Sequence, residues 1–148
     1  MTEKTDTARR ARMGLGAKAP PARLAALMAG VEVPGFDWLR APEVGGVMVR
    51  GRMGGTGAPF NLGEMTVTRC ALRLATGEVG HGYVQGRDKA HAERAALVDA
   101  LMQTDRAEAV QAQVLDPLAE AALTAKATRA AKAAATKVDF FTMVRGED

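Results

Sequence analysis

The stretch Arg52-Met53-Gly54-Gly55-Thr56-Gly57 sets a guanidinium and a hydroxyl among three glycines. Backbone N–H groups freed by glycine can surround an anion. A Walker loop, however, ends in Gly-Lys-Ser/Thr and opens a helix. Here no lysine follows and the residues before it alternate as a strand does, so neither that loop nor the strand–turn–helix dinucleotide fingerprint fits. Two readings remain. Arg52, Gly54, Gly55, Thr56 and Gly57 form an anion contact, or the glycines only supply positive φ where the chain turns. The connection from Gly54 to Gly63 is longer than the ~2–5 residues of an ordinary hairpin, which favours a function for it.

A second group lies in GRDKAHAERAALVDALMQ, where Arg87, His91 and Arg94 recur at helical spacing with Lys89 among them. They would sit at the positive end of a helix dipole, a setting that suits a phosphate or phosphonate oxygen. The alternative is a solvated first turn capped by Asp88. His91-Ala92-Glu93 matches only the start of a zinc deaminase signature, and the paired cysteines that must follow are missing. With His81, His91 and Cys70 as the only imidazoles and thiol, no metal is expected on this chain. Cys70 and His81 are read as structural. The chain contains no serine, which removes serine nucleophiles.

The elements that must position these groups follow from periodicity. Asp6 to Lys18 opens like a helix but is weakened by Gly14 and Gly16. After Pro20-Pro21, Leu24, Leu27 and Met28 mark a short amphipathic helix ending at Gly30. From Phe36 the pattern alternates. FDWLRA and GGVMVRGRM read as two extended segments joined by a turn at Pro42, with Val47, Val49 and Met53 on one face and Arg50 and Arg52 on the other. MTVTRCALRLA places Cys70, Leu72 and Leu74 opposite Arg69 and Arg73, and Thr76-Gly77 turns the chain into EVGHGYVQG. There Gly80 and Gly82 leave one face bare, so another backbone or helix can approach. Asp88 caps a helix with an apolar stripe at Ala95, Val98, Leu101 and Met102. Asp116-Pro117 opens an alanine-rich helix with a basic row at Lys126, Arg129 and Lys132. Val138–Gly146 crowds Phe140, Phe141, Met143 and Val144 into a tail expected to dock on a partner, with Arg145 beside them. The expected fold is α+β, an antiparallel sheet of about four strands with N-terminal and C-terminal helices packed against it, in one domain spanning 1–148.

Composition limits the function classes. At 148 residues, with 20 Lys and Arg against 17 Asp and Glu and only 4% aromatics, the chain lacks the dense basic and aromatic character of a dedicated nucleic-acid binder. A small basic nucleic-acid-binding module using Arg50, Arg52, Arg69, Arg73 and the helical row stays open as the alternative. No apolar run reaches the ~18 residues of a membrane span, and the single cysteine points to a reducing cytoplasm.

Gly51–Gly57 (GRMGGTG), Gly86–Gln103 and Val138–Gly146, in that order, resemble the PhnG family of the bacterial carbon-phosphorus lyase system. The resemblance spans the chain and is strongest from Arg50 to Gln103 and at the tail. It implies a subunit that acts with PhnI, PhnH and the ATPase-like PhnL to attach an alkylphosphonate to C1 of the ribose of ATP, releasing adenine. It also implies membership of a core assembly with PhnH, PhnI and the iron-sulfur subunit PhnJ. ATP would be a co-substrate of the complex, with no cofactor bound by this chain alone. Displacing adenine requires cations around a triphosphate and an acid for the purine. The chain offers Arg52, Arg87, Lys89 and Arg94 but no carboxylate and acid pair for the ribose centre. The resemblance therefore implies that a partner, PhnI, carries the chemical step. No nucleic acid or membrane partner is expected from it.

Overall fold

The computed structural model describes residues 2–138, with side chains from Thr5 onward. Three strands form one antiparallel sheet in chain order: β1 (Phe36–Arg52), β2 (Pro59–Leu74) and β3 (Val79–Gln85). β1 and β2 pair along their whole length, from Phe36 opposite Leu74 to Arg52 opposite Pro59. β3 pairs only with Val67–Arg73 of β2. The sheet is therefore three strands wide at one end and a two-stranded arm at the other.

Period-2 alternation decides which face of the sheet is covered. Thr68, Cys70, Leu72 and Leu74 of β2 and Gly80, Gly82 and Val84 of β3 point inward and are buried. Against them lies α3 (Lys89–Leu101), in which nine of thirteen residues are buried. The contact is close because one side is glycine and the other alanine. A Cβ at Gly80 would strike the carbonyl oxygen of Ala96, and one at Gly82 that of Ala92. The bare face read from the sequence is thus filled by a helix backbone.

The other side of α3 is covered by α1 (Thr2–Lys18), α2 (Pro21–Met28) and the start of the C-terminal helical segment. Leu24, Leu101, Val110, Val114 and Leu115 meet there, each 1% exposed or less. That segment runs through α4 (Ala107–Val110), a π-helical turn (Gln111–Leu115) and α5 (Asp116–Ala135). Pro117 lacks an N–H and crowds the preceding turn of a regular α-helix. The wide π turn just before it, closed by Asp116 N–H to Gln111 O, lets the helix continue through the proline. Described residues from Ala121 onward are all exposed, although Ala121, Ala122, Ala125 and Arg129 still line a cleft with Leu15 and Lys18 of α1.

Three expectations change. Among the described residues the sheet has three strands rather than four, because Phe36–Ala41 and Gly46–Arg52 belong to one strand. Pro42 interrupts its register at Arg40/Glu43 without turning it, which an edge strand tolerates because the missing N–H was not needed there. The connection after Arg52 is six residues, 53–58, rather than ten, since pairing resumes at Pro59. The N-terminal helix reaches back to Thr2 despite Gly14 and Gly16, because docking on α3 outweighs their poor propensity.

Candidate functional site

The glycine-rich stretch is the tip of the arm. Met53–Gly55 make one 3-10 turn in which Gly54 and Gly55 have φ of 59° and 82°, values that L side chains rarely adopt. Gly57 N–H closes the turn on Met53 O at 2.8 Å, and Arg52 Nη1 donates to Gly57 O at 3.2 Å. Thr56 and the tip glycines apart from Gly57 are exposed. The turn holds itself together with its own backbone, while Arg52 and Thr56 face solvent.

Along the arm the large apolar groups are uncovered. Met48, Met53 and Leu62 are 56%, 74% and 67% exposed. Phe60 lays its ring over Gly51, 3.5 Å from where a Cβ would stand, so the aromatic covers a gap in the opposite strand. Val47 and Val49 are half-buried and Arg50 and Arg52 exposed, as the alternation predicts, whereas Met53, expected beside the valines, lies in the exposed tip turn.

The second group splits. Arg87 lies at the base of the arm, in a polar notch of ≈ 440 Å³ with Gly45, Gly46, Glu64 and Thr66. Lys89 is exposed and Arg94 half-buried. His91 does not join them. Its ring is buried, and Nε2 donates to Gly16 O of α1 at 2.9 Å, so it ties two helices together. The α3 N-terminus already carries an anion, because the Asp88 carboxylate accepts His91 N–H at 2.9 Å and satisfies the first turn. Arg52 stands six residues beyond Gly46, roughly 20 Å at ~3.3 Å per residue. The two cationic groups therefore mark opposite ends of the arm. Arg69, at the wider end of the sheet, is held by Glu43 at 2.7 Å, which removes one cation from the set that a nucleic-acid surface would use.

A site the sequence did not signal lies between α1 and β3, a cleft of ≈ 410 Å³ lined by Arg9, Arg10, Met13, His81 and Tyr83, among others. At its inner end the half-exposed Arg9 pairs with the buried Asp99. Arg9 grips Asp99 with Nε at 2.9 Å and Nη2 at 2.7 Å, and Asp99 also accepts His81 N–H at 3.0 Å. These bonds raise the Arg9 pKa above its usual value, the hydrogen bond to Asp99 being the main cause. Only tertiary docking brings residues 9, 81 and 99 together, so no local pattern could have announced them. Cys70 is buried, and desolvation chiefly pushes its thiol up to about 11, against a backbone hydrogen bond with Gly82 that lowers it. Among the described residues no cluster of His, Cys, Asp and Glu could hold a metal ion, and no helix is long and apolar enough to cross a membrane. Phe140, Phe141, Met143 and Arg145 lie outside the described residues.

Comparison with known proteins adds two findings. A family model described as "Phosphonate metabolism protein PhnG" matches residues 7–146. A protein of Rhizobium meliloti (strain 1021), named alpha-D-ribose 1-methylphosphonate 5-triphosphate synthase subunit PhnG, is 56% identical over 111 residues, covering 74% of this chain and 70% of that protein.

Proposed function

The chain belongs to the PhnG family of phosphonate metabolism proteins, and on that premise we propose that it is a subunit of an alpha-D-ribose 1-methylphosphonate 5-triphosphate synthase. The observation that carries this reading is the 56% identity with a relative bearing that name. The complex would transfer the ribose 5-triphosphate moiety of ATP to methylphosphonate or a related alkylphosphonate and release adenine. PhnI, PhnH, PhnJ and PhnL-type subunits would be the partners, and the cytoplasm the compartment. The whole of 1–148 is read as one PhnG-like unit whose tail, 138–148, docks on a partner.

The reaction asks for an acid at the purine, a stabilised ribose cation and positive charge around the triphosphate. This chain contributes cations and shape. Arg52 and Thr56 at the arm tip, and Arg87 with Lys89 and Arg94 at its base, are the groups we assign to phosphate or phosphonate contacts. They stand too far apart to share one phosphate group within a single chain, so each would complete a site with residues from a partner. The acid and the ribose-stabilising carboxylate belong to another subunit.

The test is reconstitution with the cognate subunits, ATP and methylphosphonate, following adenine release by chromatography. Omitting this chain should abolish release; undiminished release without it would defeat the proposal. In the intact complex, Arg52→Ala and Arg87→Ala separate contact from scaffolding. Loss of turnover with assembly preserved supports contact, and unchanged turnover leaves the chain a scaffold.

A further inference from the structure

The two edges of the sheet are treated differently. The β3 edge is capped over Val79–His81: Arg9 Nη2 and Gln103 Nε2 donate to Val79 O at 3.2 and 2.7 Å, and Asp99 accepts His81 N–H. The β1 edge is open. β1 has β2 as its one neighbour in the sheet, so alternate residues turn their N–H and C=O away from it, and among the described residues no backbone hydrogen bond reaches Val44–Arg52 from an element other than β2. Devices that usually blunt an edge are concentrated elsewhere on the strand. Pro42 and two register shifts lie between Trp38 and Glu43, whereas Glu43–Val49 runs in unbroken register without proline or lysine. The single irregularity in the arm adds Leu62 on β2 and leaves β1 continuous.

Such a ribbon, with both faces largely solvated, is marginal in water on its own, and an exposed strand with apolar side chains is a template for another. Arg50 and Arg52 add charge that no ion pair among the described residues neutralises. We propose that the Val44–Arg52 edge receives a strand from a different polypeptide of the synthase. That polypeptide would present an apolar surface to Met48 and Leu62, and a carboxylate to Arg50. This rests on the reading of the chain as a synthase subunit. A second copy of the arm fits less well, since between Val44 and Thr66 it offers two arginines of its own and Glu64 as the sole acid.

Hydrogen exchange read by mass spectrometry on the isolated chain and on the assembly reconstituted from the cognate subunits tests this. Amides of Val44–Arg52 should slow at least ~10-fold on assembly. The double variant Met48→Asp/Leu62→Asp should keep the parent circular dichroism and melting temperature in isolation, yet weaken assembly at least ~10-fold. Assembly that leaves arm exchange unchanged overturns the inference while sparing the proposed function. The same protection in a homodimer of this chain overturns it in favour of a second copy. No association with any cognate subunit overturns both.

Discussion

Substituting Gly80 by alanine tests the packing that positions α3. The added methyl would overlap the Ala96 carbonyl oxygen and come within 2.7 Å of Ala100 Cβ and 2.8 Å of Ala100 N. Two of these three neighbours are helix backbone, so no side chain can rotate away and α3 itself must move. It cannot move freely, because its opposite side is packed against α1 and α2. Overpacking of this kind costs about 1–3 kcal/mol, and backbone neighbours place Gly80→Ala at the upper end. For a chain of this size that lowers the melting temperature by about 6–12 °C, at ~2–4 °C per kcal/mol. Urea and thermal unfolding followed by circular dichroism measure both quantities. Gly14→Ala in α1 is the matched control, since nothing lies within 4 Å of its would-be Cβ. It should stabilise by about 0.5–1 kcal/mol through helix propensity. A Gly80→Ala protein within ~0.5 kcal/mol of the parent would refute the close contact between β3 and α3, because that is the range of an ordinary surface substitution.

Asp99→Ala should cost about 1–3 kcal/mol, chiefly from the His81 N–H left without an acceptor, and denaturant titration measures it. Arg9 adds little, since its side chain is 34% exposed and can rehydrate. With a thiol pKa of about 11, Cys70 should resist a chromogenic disulfide reagent at pH 8, and its labelling should follow the urea transition; rapid labelling of the folded chain would contradict its burial. Arg69→Ala breaks the exposed pair with Glu43 and should change stability by less than ~0.5 kcal/mol in the same titration.

What could be read in advance follows from where the information lies. Asp88 as cap and the bare glycine face of β3 are local patterns with one dominant outcome, and the structure realises both; the stripe read for α3 widens to most of the helix, because it is covered on two sides, while Met102 is only half-buried. Pro42 misled because its effect depends on whether the strand has one neighbour or two, which is a property of the sheet rather than of the segment. The tip loop was overestimated because Phe60, Asn61, Leu62 and Gly63 have no clean alternation, since the irregularity at Leu62 shifts the period. His91 and Arg94 share a helical face in the sequence, yet the placement of α1 buries the histidine. The cleft beside β3 was invisible because its lining joins residues about 70 positions apart.

The ion pair at the inner end of that cleft bears on how the chain can be shortened. α1 looks expendable from its residues, with two glycines and four arginine or lysine side chains after Asp6. Yet the Asp99 side chain is only 2% exposed, and removing the helix would strip away its sole cationic partner among the described residues. What remains is a carboxylate that has lost its cation and keeps a single backbone donor, His81 N–H. Truncation beyond Arg9 therefore does more than remove a helix. It takes the cation from a carboxylate of α3 that also holds β3 through His81 N–H, so the loss reaches past the helix into the packing of α3 against the sheet.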